Sequence, residues 1–299
     1  MNAIEIRNLT KRYGEKLAVN GLNMTVPVGS IYGFIGENGS GKSTTEKLIC
    51  GLIRKTDGDI KLFGKDHSNE DVRAKIGVLI ESPGCFPNYS VWNNLMLQAN
   101  NLSIPNAEEE VRKVLKVVRM EGSASNKYKN CSLGMKQRIG IAMALLGNPT
   151  LLVLDEPING LDADGMRIMR EVLVDVTKNY GATVVISSHI LGELEKIATH
   201  YGIIRGGKMV VEMTAEELDR SCPTFISLKA NDLTKTKAIL DRKYHKVIEK
   251  DGFVRIYDES VPENIVTLLY ENGVTVSEIS TSKISLEEYY INLMEKGGK

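Results

Sequence analysis

The chain has 299 residues, of which 42% are hydrophobic, and its 38 basic side chains balance its 38 acidic ones. This length predicts one large or two medium-sized globular domains, and the balanced charge gives no overall field that would favour nucleic acid or an acidic ligand. The four cysteines lack metal-ligand spacing, which favours a reducing compartment, and no apolar run approaches the roughly 20 residues that span a bilayer.

The first 30 residues predict two strands joined by a turn. Residues 3–10 alternate apolar and polar side chains, as a half-buried strand does, and residues 17–26 predict a second strand that ends at Pro27. This alternation at the N-terminus is unlike a signal peptide. Tyr13 lies in the predicted turn, residues 11–15, where its position alone favours ordinary edge packing.

A phosphate-binding loop follows. The segment 36–44 fits the pattern G-x-x-x-x-G-K-[ST] at every fixed position. It lies between residues 31–35, which predict a buried strand, and residues 45–50, which predict a helix. Glycines let backbone N–H groups approach phosphates, and a helix N-terminus adds partial positive charge. The predicted cofactor-binding residues of this loop are Gly36, Glu37, Asn38, Gly39, Ser40, Gly41, Lys42, Ser43 and Thr44. We expect Lys42 to reach the β- and γ-phosphates of a nucleotide and the Ser43 hydroxyl to bind Mg²⁺.

The next hundred residues change from strand-like to helical patterns. Residues 59–63 and 75–80 predict strands, with a turn at 64–66, and from Cys85 to Asn148 the signals are helical. Each of the three predicted helices begins at a polar residue that can cap it. Ser90 precedes the helix 91–97, Asn106 precedes a helix that runs to Met120, and Ser132 begins the third helix. Residues 122–130 predict a loop between the second and third helices. We therefore expect a helical insertion, about residues 82–148, in an α/β domain.

Two adjacent acids end an apolar strand. Residues 151–154 are wholly apolar, as in a parallel sheet that is buried on both faces, and Asp155 and Glu156 follow directly. Ionised carboxylates are not left unpaired in a protein interior, so this strand is expected to end at a polar site. In nucleotide hydrolases the acid at such a strand end holds Mg²⁺, which assigns that role to Asp155. Glu156 can then act as the base for an attacking water.

A histidine follows the next predicted strand. After a turn at 159–162, residues 163–180 predict a helix and residues 182–187 another buried strand. His189 lies just beyond that strand, on the edge of a parallel sheet where ligands bind, so we expect it to be functional. Beyond it, residues 201–212 predict a hairpin, and residues 214–217 form a capping box that begins a short helix.

Five motifs occur in an order that resembles the ATP-binding subunits of ABC transporters. They are the phosphate loop, Cys131–Arg138, Leu151–Pro157, Asn159–Asp162 and His189. The resemblance covers Met1 to about Met213. It implies a P-loop ABC ATPase core of the α/β class at residues 1–214, with an antiparallel β subdomain and the helical insertion. It also assigns Tyr13 to stacking on adenine, which replaces the edge-packing interpretation.

Some motif positions depart from the common pattern. Ser132 and Gly134 match the Leu-Ser-Gly-Gly-Gln signature of the family, whereas Cys131, Leu133 and Met135 do not. In addition, Glu81 stands where most members carry glutamine. Together with Ser82-Pro83, these departures resemble the branch that confers bacitracin and lantibiotic resistance.

The resemblance implies a mechanism and partners. Two chains would form a head-to-tail homodimer on ATP binding, with Ser132 and Gly134 of one chain closing over the ATP of the other. Glu156 would polarise the attacking water and His189 would touch the γ-phosphate. Glu81 would approach Mg²⁺ when the dimer closes, and residues 81–92 would contact integral membrane permease subunits. The subunit would then lie peripherally on the cytoplasmic face of the membrane and expel or export a peptide antibiotic.

Two other functions remain open from the residues alone. One is a soluble ABC ATPase that acts in translation or on DNA, although the chain has no long coiled-coil insertion or basic tract, and no nucleic acid is expected. The other is a nucleotide-binding module without hydrolysis, which the intact Glu156 and His189 disfavour.

The remainder of the chain, residues 222–299, predicts an accessory α+β domain of βαββαβ type. The predicted strands are 225–229, 253–257 and 274–279, and the predicted helices are 233–244, 261–271 and 285–295. Ser285 caps the last helix, with Glu288 in the capping-box position. This region has no catalytic constellation, and we expect it to serve packing or dimer stabilisation rather than ligand binding.

Overall fold

The computed structural model describes residues 1–257 and 264–296. The chain divides into two compact units, Met1–Ala215 and Glu216–Lys299. Among the described residues, no helix is both long enough and apolar enough to span a membrane. The core is α/β, as predicted.

The first unit begins with an antiparallel sheet in the order β2-β1-β4-β5. Its strands are β1 Asn2–Tyr13, β2 Lys16–Pro27, β4 Asp57–Leu62 and β5 Lys65–Asp66. Two predicted turns are partly wrong. Residues 11–13 belong to β1 because they continue its pairing with β2, so the turn is confined to Gly14 and Glu15. Lys65 and Asp66 pair with β4 and form a short strand of their own.

A second, mostly parallel sheet has the order β10-β9-β3-β8-β7-β6. Its strands are β3 Ile31–Ile35, β6 Ile76–Leu79, β7 Leu151–Asp155, β8 Thr183–Ser187, β9 His200–Arg205 and β10 Lys208–Thr214. Within this sheet, the pairs β9–β3, β3–β8, β8–β7 and β7–β6 are parallel. The pair β10–β9 is antiparallel. Every residue of β3 and β8 is buried, which explains the unbroken apolar runs in the sequence.

Seven helices are described entirely within the first unit: α1 Lys42–Ile49, α2 Glu70–Arg73, α3 Val91–Asn101, α4 Ala107–Val117, α5 Leu133–Leu145, α6 Ala163–Tyr180 and α7 Leu191–Leu194. Ser90 and Ser132 cap α3 and α5, where their hydroxyls accept hydrogen bonds from the backbone N–H groups of Asn93 and Met135. Asn106 lies at the N-cap position of α4, but the predicted side-chain cap at Asn106 is wrong. Its backbone is left-handed (φ 54°) rather than extended, and its side chain makes no capping hydrogen bond.

The second unit has the strand order β12-β13-β11-β14, with every pair antiparallel. Its elements are β11 Thr224–Ala230, α9 Leu233–Leu240, β12 Val247–Lys250, β13 Phe253–Ile256, α10 Ile265–Glu271, β14 Val276–Lys283 and α11 Leu286–Lys296, and α8 Ala215–Ser221 precedes them. Helix α9 ends four residues before the predicted Tyr244. Residues 261–263 of the predicted helix 261–271 lie outside the described part of the chain.

Strand β12 was missed from the sequence, although a signal was present. Asp251 and Gly252 join β12 to β13 with left-handed backbones (φ 54° and 79°), and Lys250 pairs with Phe253 across them. An Asp-Gly pair between two strand-like segments is a strong indication of a two-residue hairpin. The strand itself is only four residues long, so its own pattern is weak.

Candidate active site

The carboxyl ends of three neighbouring parallel strands meet at one edge of the second sheet. The phosphate loop follows β3, the two acids end and follow β7, and His189 follows β8, which lies between β3 and β7. They surround a cavity of about 310 Å³. Predicted residues that line it are Asn38, Gly39, Gly41, Lys42, Ser43, Thr44, Asp155, Glu156 and His189. Lys16, Ala18 and Asn159 also line it and were not predicted as site residues.

The loop has a backbone that requires glycine. Gly39 and Gly41 have positive φ angles of 79° and 115°. A Cβ at Gly36 would lie 2.6 Å from the carbonyl oxygen of Ile204, and one at Gly41 would lie 2.7 Å from that of Ala18. The hydroxyl of Ser40 is buried in the loop without a described hydrogen-bond partner. This narrow cradle at the N-terminus of α1 suits phosphate oxygens.

Lys42 lies beneath the loop. Its ammonium donates hydrogen bonds to the backbone carbonyls of Gly36 (2.6 Å) and Glu37 (3.2 Å). The same nitrogen lies 4.0 Å from Oε1 of Glu156. The side chain is 7% exposed, so its positive charge is held against the loop and Glu156 with little screening by water.

The carboxylate of Glu156 lies between the imidazole of His189 and the ammonium of Lys42. Nδ1 of His189 is 2.7 Å from Oε2 of Glu156, whereas Oε1 faces Lys42. The Glu156 backbone is left-handed (φ 50°), which is uncommon for a residue other than glycine and is found at functional sites. This conformation directly after β7 brings the carboxylate to the cavity, where it can polarise a water.

Ser187 connects the two acids, and sequence reasoning missed it. Its hydroxyl donates to Oδ1 of Asp155 (2.9 Å) and accepts a hydrogen bond from the backbone N–H of Glu156 (3.1 Å). Ser187 is fully buried. A polar residue at the end of the apolar strand next to β7 was the available signal, because Asp155 and Ser187 pair across the sheet.

Glu46 is a second residue that sequence reasoning missed. Its side chain is fully buried, and neither carboxyl oxygen makes a well-formed hydrogen bond among the described residues. Burial, and then the negative charge of Asp155, raise the pKa of Glu46 well above its ordinary value. The signal was its spacing of four residues from Lys42, which places both on one face of α1.

The oxygen atoms at the cavity suit Mg²⁺. Ser43 and Asp155 both line it, and only one oxygen of Asp155 is used by Ser187. Hydroxyl and carboxylate oxygens are the donors that this hard cation prefers. Within the described ranges there is no group of three or more His, Cys, Asp or Glu side chains placed to hold a metal by itself. Mg²⁺ commonly takes one or two protein oxygens together with water and substrate phosphate oxygens, which agrees with the small number of protein donors at this cavity.

Glu81 lies apart from this cavity. Its carboxylate is exposed and pairs with the ammonium of Lys47 at 2.7 Å. The hydrogen bond from Lys47, and then its charge, lower the pKa of Glu81. The backbone of Glu81 is left-handed, with φ of 66°. Its expected contact with Mg²⁺ stays a prediction.

Besides Gly36, Glu37 and Ser40 of the loop, three more predicted residues do not line the cavity of a single chain. Tyr13 is 47% exposed at the end of β1, and the ammonium of Lys11 lies 4.6 Å from its ring centre. Ser132 is exposed and Gly134 partly exposed at the N-terminus of α5. These positions are accessible to a second chain or to a nucleotide base.

The sequence is similar to ATP-binding proteins of ABC transporters. Residues 19–159 match the family described as "ABC transporter". The chain is 36% identical to the "Bacitracin transport ATP-binding protein BcrA" of Bacillus licheniformis over 98% of both chains. It is 38% identical to the protein of that name in Enterococcus faecalis, over 99% of this chain and 97% of the relative. The "Lantibiotic transport ATP-binding protein SrtF" of Streptococcus pyogenes is 42% identical over 70% of this chain and 90% of its own.

Solved structures resemble about three quarters of the chain. The cbiO1 protein from Clostridium perfringens, part of an ABC transporter complex, superposes with a TM-score of 0.67 and 26% identity. The match covers 73% of this chain and 91% of that one. A nucleotide-free ATP-binding cassette from an ABC transporter gives a TM-score of 0.65 at 26% identity, over 74% of this chain and 94% of the other.

Proposed function

The chain belongs to the ABC transporter family as an ATP-binding subunit with ATPase activity, and from this premise we propose that it powers removal of a peptide antibiotic of the bacitracin or lantibiotic type. Removal would be export, or expulsion from the membrane, and would give resistance or self-immunity. The observation that carries this proposal is the similarity to two bacitracin-transport relatives over nearly the whole chain.

The extent of the matches favours the bacitracin type. The bacitracin-transport relatives align with 98–99% of this chain, which includes the second unit. The lantibiotic-transport relative aligns with 70% of it. A transport role is favoured over a soluble role in translation or on DNA, since the relatives described above are transport proteins by name.

Hydrolysis in this proposal depends on Glu156. His189 holds Oε2 through the 2.7 Å contact, so the carboxylate is oriented to accept a proton from water at the cavity. Lys42 and the backbone N–H groups of the loop would hold the phosphates of ATP. Asp155, kept in place by Ser187, and Ser43 would hold Mg²⁺, whose charge would offset that of the phosphates. Tyr13 would stack on adenine.

A second copy of the chain would complete the site. Ser132 and Gly134 begin α5, and the N-terminus of a helix attracts anions. Because neither residue lines the cavity of its own chain, we propose that they close over the nucleotide of a partner copy. Two ATP molecules would thus join two copies head to tail, and hydrolysis would release them.

Membrane permease subunits would be the other partners, and would hold the protein at the cytoplasmic face of the membrane. Phe86 and Tyr89, which follow Glu81 in the sequence, are about half exposed, with ring centres 5.3 Å apart. Exposed aromatic pairs of this kind are typical of protein interfaces.

Deletion of the gene in its own host, followed by complementation, tests the proposed substrate. We expect the deletion to increase sensitivity to bacitracin, to a lantibiotic or to both, and the wild-type gene but not Lys42→Ala to restore resistance. If sensitivity to both drug classes is unchanged while the purified protein hydrolyses ATP, the proposed substrate is wrong and the assignment as an ATPase still holds.

A further inference from the structure

The two faces of the sheet in the second unit are covered differently. Val254 and Ile256 of β13 face a hydrophobic core that contains residues of α9 and α10. Arg255 and Tyr257 alternate with them and therefore lie on the opposite face. Helix α11 packs over part of this second face, where its Glu288 contacts Arg255.

A cavity of about 570 Å³ lies on the second face, and all of its described lining belongs to the second unit. Its wall includes Ile248 and Lys250 of β12, Tyr257 after β13, and Tyr289 and Leu293 of α11. Pockets that bind small molecules usually measure roughly 300–1,000 Å³ and combine apolar walls with a few polar groups. This cavity has both properties.

The negative charge at this cavity is already matched. Oε1 of Glu288 accepts hydrogen bonds from Lys250 (2.6 Å) and from Arg255 (2.8 Å). Burial opposes ionisation, but the hydrogen bonds and charges of these two cations lower the pKa of Glu288. The Glu288 carboxylate is therefore ionised, and Lys250 and Arg255 already balance its negative charge.

Lys246 is a cation that has no carboxylate partner among the described residues. Its ammonium lies 4.8 Å from the ring centre of Tyr257, and it forms no ion pair with any carboxylate in residues 1–257 and 264–296. Both residues line the cavity. Among the residues that the structure describes, the ammonium of Lys246 is therefore a positive charge without a carboxylate partner, beside an aromatic ring and the apolar side chains of Ile248 and Leu293.

We propose that this cavity binds a small organic anion with a flat apolar body about the size of an indole ring. The acidic group lies beside Lys246, and the body lies against Tyr257 and Ile248. The second unit is then a ligand-binding domain, in contrast with the packing role that the sequence favoured.

Binding of indole-3-acetate and of its neutral amide, indole-3-acetamide, to the full chain tests this proposal. Saturating MgADP keeps the phosphate loop, which is also an anion site, from contributing. A ligand of this size binds with a Kd on the order of 1 mM. In saturation-transfer NMR we expect the acid to bind and the amide to bind about tenfold more weakly, because only the acid has a charge to match Lys246.

Lys246→Met removes the charge and keeps the aliphatic stem, and should weaken binding of the acid about tenfold while leaving the amide unchanged. Lys243→Met is the matched control, since Lys243 is exposed and does not line the cavity. Equal affinities for acid and amide, unchanged affinity in Lys246→Met, or no saturation transfer at several times the expected Kd would each overturn the proposal.

Discussion

His189 and Glu156 meet through a 2.7 Å contact between Nδ1 and Oε2, although 33 residues separate them in the sequence. The contact forms because each residue follows a strand of one parallel pair, β8 and β7. It leaves the other oxygen of Glu156 directed to Lys42, at 4.0 Å. The Glu156 carboxylate is thus oriented by groups from two other segments of the chain.

Ser187→Ala should reduce turnover because Ser187 positions both acids. Its removal leaves Oδ1 of Asp155 and the backbone N–H of Glu156 without this hydrogen-bond partner. Loss of a residue that orients a metal ligand typically costs about 10–100-fold in activity. We expect a fall of that size in ATPase rate at saturating ATP, with ATP affinity changed only a few-fold.

Ser188→Ala is the control for this variant. Ser188 is also buried, but its hydroxyl accepts a hydrogen bond from the backbone N–H of Ile190 and contacts neither acid. Equal ATPase rates for the two alanine variants would show that Ser187 does not position the acids.

Glu46→Gln should become more stable than the wild type as pH rises. The folded-state pKa of Glu46 lies well above the ordinary value of 4.5, so the folded protein keeps this proton to higher pH than the unfolded chain. Stability from the protonated acid is full below pH 4.5 and is lost as pH rises through the folded pKa. Glutamine cannot lose a proton, so the variant avoids this loss.

Urea unfolding at about pH 5 and about pH 8 measures the effect. The single tryptophan, Trp92, reports on the first unit, which contains Glu46. The unfolding free energy of Glu46→Gln minus that of the wild type should be larger at the higher pH. A difference that is constant or that shrinks would mean that Glu46 is not held in its protonated form.

A mixture of Lys42→Ala and Ser132→Arg chains should hydrolyse ATP faster than either variant alone. If Ser132 serves the nucleotide of the partner, each mixed dimer has one intact site and one site with both defects. If each site were built within one chain, both sites of the mixed dimer would carry a defect. Steady-state ATPase assays of the mixture, with mixed dimers verified by two affinity tags, separate these outcomes, and no gain would contradict the shared site.

Glu81→Gln should alter the Mg²⁺ dependence of turnover but not ATP binding. An ionised glutamate offers only acceptor oxygens and a negative charge, whereas glutamine has a donor and a neutral acceptor, so the acid gains more than the amide from approach to a cation. The ion pair with Lys47 is exposed, and its loss should change stability little. Superimposable Mg²⁺ titrations of ATPase rate for the two proteins would leave Glu81 without a metal role.

Most of the site could be predicted because it lies where parallel strands end. The loop, Asp155, Glu156 and His189 each follow an apolar segment that is easily recognised, and they line one cavity. Ser187 and Glu46 could not be recognised as site residues from the sequence. A serine at the end of a strand and a glutamate in a helix are common, and their roles depend on contacts with Asp155 that only the folded chain shows.

Errors in the fold arose where local signals were weak or ambiguous. The side chain of Asn106 suits a helix cap, but its tolerance of left-handed backbone allowed another conformation there. Likewise, residues 11–13 resemble a turn by composition, yet pairing with β2 keeps them in a strand. In both places tertiary context outweighed local preference.

The ATPase rate of Glu156→Gln, measured beside its ATP affinity, tests the central claim most directly. Glutamine keeps the size of the side chain but is a poor base, and loss of a general base typically costs about 10²–10⁴-fold. We expect turnover to fall by that factor, ATP affinity to stay near that of the wild type, and an ATP-bound dimer to accumulate in size-exclusion chromatography. Turnover close to that of the wild type would contradict the assignment of Glu156 as the group that activates water.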